Sequence, residues 1–180
     1  MTKFKDFFSW KNPLYENLRE PSRSVIAAYQ DANRFYDTVQ EFVYIELGMV
    51  FLSRFIHARA HDFPKKFDRF IEMLHEHHLM GEYPPTGELD FKQELQSVED
   101  VFSVLIRVLD HIQESLERFH AQTDNEKLRP MAIFTEELMM ENSRDRTCIL
   151  SLWSRFSSDP GSLSSFDSWI QKMICEKEDN

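Results

Sequence analysis

The stretch Phe70-Ile71-Glu72-Met73-Leu74-His75-Glu76-His77-His78 carries the strongest pattern in this sequence. It contains a Glu-x-x-His pair, Glu72 and His75, and residues three apart on a helix are neighbours on one face. In helical bundles such a pair presents an oxygen and a nitrogen ligand to iron or manganese. Apolar residues recur around it at helical spacing, which predicts a buried stripe beside the pair: Phe67, Phe70, Ile71, Leu74 and Leu79. The alternative is a solvated helix face, because Glu-x-x-His often arises by chance.

Composition indicates one helical domain. The chain has 180 residues, enough for a sizeable core, and only 4 glycines, which favours long helices with few turns. Its net charge of −10 disfavours a nucleic-acid partner, because binding to phosphates needs clustered Lys and Arg. Two cysteines give no disulfide framework. We find no secretory signal and no apolar run of about 18 residues, so no membrane span is expected and the cytoplasm is the expected compartment.

Caps and helix breakers predict four long helices and a short fifth one. Residues 1–21 form an expected N-terminal arm and residues 22–180 the bundle domain. A first helix is expected from a cap at Ser22 or Ser24 to about Ala58, since its apolar period continues past Gly48. The other helices are expected over Pro64 to about Met80 (with a cap at Asp62), Ser97 to about Gln122, Pro130 to about Ser157, and Leu163 to about Ile174.

The longest non-periodic segment, 81–96, has a topological consequence. It is long enough to cross the bundle, so that the third helix runs parallel to the second. The sequence therefore predicts an all-α, ferritin-like four-helix bundle with one long crossover and a short fifth C-terminal helix.

A polar row on the first helix gives a second set of candidate ligands. Asp37, Glu41 and Tyr44 are spaced four and three residues apart beside the apolar stripe. Polar groups in such a row are either surface charges or ligands that face the bundle axis.

From about Val25 to Ile174 the chain resembles a ferritin subunit. Asp37 stands where ferritins carry a first-helix glutamate ligand, and Val43-Tyr44 resembles the pair whose tyrosine touches the iron site. Glu72 and His75 resemble the second-helix Glu-x-x-His. Further resemblance lies in the segments 79–80, 115–120, 134–136 and 161–163.

The resemblance implies a homo-oligomeric cage that binds and stores iron, in a di-iron or single-iron site. It implies Asp37, Glu41, Glu72 and His75 as metal ligands and Tyr44 as a catalytic residue of a possible ferroxidase, an Fe(II):oxygen oxidoreductase. Two departures predict weaker oxidation: Leu109 replaces a third-helix glutamate, and Asn142-Ser143 replaces Glu-Gln on the fourth helix. If the chain oxidised iron as fast as a ferritin with the full set of ligands, Asp110 or Glu141 would have to supply the missing one.

Three other interpretations are open. Asp37 and His75 could form a buried hydrogen-bonded pair without metal. His75, His77 and His78 could bind zinc or nickel adventitiously. The chain could also be a ferritin-like structural shell or a helical interaction protein without chemistry. A di-iron oxygenase is disfavoured, because the fourth helix has no second Glu-x-x-His.

Overall fold

A computed structural model describes residues 15–84, 94–123, 126–159 and 162–178. These described residues form six α-helices: α1 (Arg19–Ile45), α2 (Val50–Ala60), α3 (Asp62–Glu76), α4 (Val98–Ala121), α5 (Arg129–Ser158) and α6 (Leu163–Glu178). Short 3₁₀ turns precede α1 and α5, and the described part of the chain contains no strand. None of the described helices is long and apolar enough to cross a membrane. Of the expected N-terminal arm, 1–21, residues 1–14 lie outside the described residues, and residues 19–21 already belong to α1.

The expected first helix is wrong at both ends. It begins at Arg19, and Ser22 does not cap it but donates its hydroxyl to the Leu18 carbonyl at 2.7 Å inside the helix. Ser24 Oγ instead lies 3.1 Å from Ser115 Oγ on α4. The helix ends at Ile45 rather than Ala58, because Gly48 adopts a left-handed φ of 65° and turns the chain back.

The second long element of the bundle is therefore α2 followed by α3. A single residue, His61, separates the two helices, so the gap expected between a helix ending near Ala58 and one starting at Pro64 is only a local break. Asp62 is the first residue of α3 rather than its cap, and its carboxylate pairs with Lys65 at 3.0 Å. Pro64 is tolerated in the first turn, where no intrahelical amide bond is lost.

The end of α3 also differs from the prediction. The helix stops at Glu76, four residues before Met80, and His78 takes a left-handed φ of 60°. The His78 amide donates to the His75 carbonyl and the Leu79 amide to the Leu74 carbonyl, both at 2.9 Å. This pattern is a Schellman ending, with a histidine at the position that glycine usually fills.

The predicted starts of the later helices are confirmed, whereas the last helix ends four residues beyond the predicted Ile174. Ser97 caps α4 by accepting the Asp100 amide at 3.2 Å. Asp100 in turn accepts the Gln96 amide and the Ser97 hydroxyl, and these hydrogen bonds, the serine bond first, lower the pKa of its carboxyl group. Pro130 lies in the first turn of α5, and α6 begins at Leu163 but continues to Glu178.

Cross-helix contacts establish the relative directions of α3, α4 and α5. Lys66 and Arg69 on α3 meet Asp145 and Glu141 on α5, so these helices are antiparallel. On the other side Asp110 of α4 meets Arg146 of α5, while His120 meets Glu136, which makes α4 and α5 antiparallel as well. Hence α4 runs parallel to α3, as the predicted crossover requires.

The core follows the apolar stripes predicted from the sequence. On α1, burial of the apolar stripe stabilises the bundle by roughly 1.5–3 kcal/mol per large side chain. Its buried residues are Val25, Tyr29, Ala32, Tyr36, Val39 and Val43.

At the N-terminus of α2, Asp167 of α6 accepts the amides of Phe51 and Leu52 at 3.0 and 2.8 Å. A residue far away in sequence thus caps the first turn of α2.

Candidate functional site

The structure places the predicted metal ligands on the outside of the bundle. Asp37 and Glu41 on α1 and Glu72 and His75 on α3 are all exposed. Tyr44, the predicted catalytic residue, exposes 55% of its surface. In the described structure these side chains do not converge inside the bundle, and their role as metal ligands stays a prediction.

The position of the first turn explains why they stay apart. Tyr36 and Phe63 face each other with ring centroids 4.7 Å apart. Asp37 lies one residue from Tyr36 toward the turn at Gly48, whereas Glu72 lies nine residues from Phe63 in the opposite direction. At 1.5 Å per residue, the two carboxylates are roughly 15 Å apart along the bundle axis.

The other carboxylates considered for iron are paired with arginines. Asp110 accepts from Arg146 Nε at 2.6 Å, and Glu141 accepts from Arg69 Nη1 at 2.8 Å. Asn142 is buried, and its amide donates to the Leu109 carbonyl at 2.9 Å. In the part of the chain that the structure describes, no three His, Cys, Asp or Glu side chains form a group able to hold a metal ion. The residues in the described bundle interior therefore do not fit an iron centre.

What the structure does bring together is a cleft between α3, the end of α2, and α5, which we call the basic cleft. Its volume is about 510 Å³. Five cations and three carboxylates line it, so its formal charge is +2 in a chain whose net charge is −10. The lining residues are Arg59, Asp62, Lys65, Lys66, Arg69, Glu141, Arg144, Asp145 and Cys148.

One carboxylate in the basic cleft serves two cations. Asp145 accepts from Arg59 Nη1 through Oδ1 and from Lys66 Nζ through Oδ2, the second at 2.5 Å. The exposed fractions of the Lys66, Asp145 and Arg59 side chains are 11%, 16% and 29%. This partly buried cluster therefore carries one positive charge in excess, at a depth where water screens it poorly.

Aromatic rings hold three of these cations in place. Arg59 lies over the Phe55 ring at 5.4 Å from its centroid, and Arg69 lies over Phe134 at 5.6 Å. Lys66 Nζ lies 6.0 Å from the centroid of Phe63. Each cation meets the negative face of a ring, which attracts the cation and orients its donors.

Two tyrosines of α1 lie behind the cleft and contribute no charge. Burial raises the pKa of Tyr29, and the negative charges of Glu141 and Asp145 raise it further. Burial likewise raises the pKa of Tyr36, with Asp145 adding to the effect. Both phenols are therefore neutral at physiological pH. Tyr29 Oη is buried and has no hydrogen-bond partner among the described residues.

One residue of the basic cleft, Lys66, stands out in the sequence although it belongs to no motif. Lys66 lies three residues after Phe63 and four before Phe70, so it occupies the buried stripe of α3 rather than its polar face. A lysine in an apolar stripe requires a partner, and Asp145 provides one. Asp145 lies 79 residues after Lys66 in the chain, so no local sequence pattern connects the two residues.

Comparison with known proteins agrees with this architecture. No family model matches the chain, and no curated protein is similar enough to match it. Among solved structures, the apo-ferritin from Pseudo-nitzschia multiseries superposes with a TM-score of 0.78 at 14% sequence identity, covering 85% of this chain and 98% of that one. This chain has the ferritin fold. A PmFTN variant soaked in iron for 45 min gives the same TM-score, identity and coverage, and another, soaked overnight, gives a TM-score of 0.77 at 14% identity, covering 84% of this chain and 98% of that one. At 14% identity, the similarity of this chain to these proteins concerns the fold alone.

Proposed function

We propose that this chain is a structural subunit of a ferritin-like homo-oligomeric cage in the cytoplasm, and that its own bundle does not oxidise iron. The observation that carries the proposal is the Arg59–Asp145–Lys66 cluster. Iron sites are built from carboxylates in excess of cations, whereas here cations exceed carboxylates. With Asp145 counted, the two cations leave one positive charge on the cluster, which disfavours binding of Fe(II) there.

Exposed apolar side chains support the assembly part of the proposal. Tyr44 and Ile45 at the end of α1 expose 55% and 66% of their surfaces, and Met80 and Tyr83 after α3 each expose 59%. Scattered apolar residues are normal on a monomer, but neighbouring pairs at helix ends are typical of surfaces that a partner covers. A second copy of the chain is the partner expected from the ferritin fold.

Iron is the first cargo to test in such a cage, because PmFTN variants with this fold have been studied after soaking in iron. Oxidation at Asp37, Glu41, Glu72 and His75, with Tyr44 as the catalytic residue, is the competing function. It needs these side chains to act from the exposed surface, or across an interface between subunits.

Two measurements on the full chain separate these functions. Light scattering should give a particle mass many times the 21.5 kDa of one chain, and a stable monomer would contradict the cage. In air, Fe(II) should be oxidised no faster with the protein than in buffer alone. The matched variants Glu72→Ala and His75→Ala should leave that rate unchanged. Fast oxidation that both variants abolish would establish the competing function instead.

A further inference from the structure

We propose that the basic cleft binds a phosphate dianion, either free or as the phosphate group of a small organic ester. The first ground is charge. The five cations and three carboxylates that line the cleft leave two positive charges. A phosphate group near neutral pH carries nearly two negative charges and three strong acceptor oxygens. Such a ligand would neutralise the cleft.

The donors that would meet the anion are still available. Asp145 uses both its oxygens on Arg59 and Lys66, so neither cation has a carboxylate of its own. The Nη2 atom of Arg59 has only a weak contact, with Cys148 Sγ at 3.9 Å. Arg144 is exposed on the rim, and no ion pair engages it within the described ranges. A guanidinium presents donors in a planar fork that matches two phosphate oxygens.

Aromatic rings next to the lining residues orient three of these charges. Phe55, Phe63 and Phe134 support Arg59, Lys66 and Arg69 from below, so the cations are already oriented before a ligand arrives. Lys66 and Asp145 are mostly buried, so attraction between Lys66 and an anion is screened less than at the open surface. A volume of about 510 Å³ exceeds the need of phosphate alone and lies within the size range of ligand sites. The extra room is what an organic ester would occupy.

The test is calorimetric titration of the full chain with inorganic phosphate and with glycerol 3-phosphate, with glycerol as the uncharged control. We expect saturable binding of at least one phosphate and none of glycerol. Tighter binding of the ester identifies an organic phosphate as the ligand, and equal or weaker binding identifies the free ion. Absence of saturable binding of either probe would overturn the proposal.

Variants distinguish the basic cleft from general attraction of anions to the surface. Arg144→Gln should weaken binding about tenfold, through loss of a charge-assisted contact. Arg146→Gln is the matched control: it lies two residues away on α5, removes the same charge and breaks only the pair with Asp110. An equal effect of the two variants would place the anion elsewhere.

A substitution that removes a negative charge from the basic cleft tests whether its ligand is an anion. Asp145→Asn removes the carboxylate that competes with the anion and should tighten phosphate binding several-fold, provided that circular dichroism shows a folded chain. Weaker phosphate binding by the folded variant would contradict the anion site. If the variant does not fold, Arg144→Gln and its control decide the matter, since Arg144 is exposed.

Discussion

Glu72 and Lys66 lie six residues apart on the same helix, and their environments are opposite. Glu72 is exposed on the outer face of α3, whereas Lys66 lies on the inner face and exposes 11% of its side chain. The Glu-x-x-His motif formed by Glu72 and His75 faces solvent. The lysine that matches no motif faces the basic cleft and pairs with Asp145. Which face a polar residue occupies therefore decides more about its role than the motif that contains it.

The comparison also separates two electrostatic regimes. Charges on the outer face are screened, and pairs there contribute about 0–1 kcal/mol. Charges in the cleft are partly desolvated, so the loss of one partner leaves the other without compensation. Mutations at the two places should differ accordingly.

The largest expected effect comes from Asp145→Ala, which leaves Lys66 and Arg59 without their shared carboxylate. Because all three side chains are less than a third exposed, we expect the free energy of unfolding to fall by about 3 kcal/mol. The measurement is urea denaturation followed by circular dichroism. Glu72→Ala on the outer face is the control and should change stability by no more than about 0.5 kcal/mol. Equal effects would remove the distinction between the two faces.

Much of the fold was predictable because its signals are local. Ser97 followed by Asp100, and Pro130 near the start of an apolar period, identify the starts of α4 and α5 without any tertiary information. The buried stripe of α1 was likewise readable, since Val25, Tyr29 and Tyr36 recur at helical spacing and are buried.

The first turn was not predictable from periodicity, because apolar residues continue in phase across it. Val43 and Leu52 on either side of Gly48 are both buried in the same core, so the helical period survives the reversal of the chain. The segment at His61 to Pro64 showed stronger turn chemistry but holds only a one-residue break. The sequence analysis placed no turn at Gly48. It therefore put Asp37 and Glu72 in one predicted iron site, although the observed register separates them along the bundle axis.

The candidate site was missed for a related reason. Asp145 meets Lys66 and Arg59 only after α5 packs against α2 and α3, and 79 and 86 residues separate the partners. Sequence reasoning detects motifs within one helix, whereas this cluster is defined by three helices.

A smaller effect is expected from Asp167→Ala, which removes the cap that fixes the start of α2 after the turn. Its carboxylate accepts two amides at the N-terminus of that helix and also lies at the positive end of the helix dipole. We expect a loss of about 2 kcal/mol in the free energy of unfolding, near the upper end of measured cap effects. Asp159→Ala, in the exposed segment after α5, is the control for loss of one acidic residue. A loss below about 0.5 kcal/mol would mean that the cap does not stabilise the register.

The smallest effect tests the turn at Gly48, which sets the register of α2 and α3 against α1. Gly48 has a φ of 65°, and a Cβ built on it meets no atom within 4 Å, so replacement causes backbone strain without a steric clash. Gly48→Ala should therefore lower the free energy of unfolding by about 1 kcal/mol, the cost of a left-handed conformation for alanine. Gly48→Asn should lose less, because asparagine tolerates that conformation better than alanine. Urea denaturation of both variants, with far-ultraviolet circular dichroism as the probe, measures the difference. If Gly48→Ala were instead stabilising, the chain would favour a continuous helix through residue 48. The register that places Glu72 far from Asp37, and Lys66 against Asp145, would then be wrong.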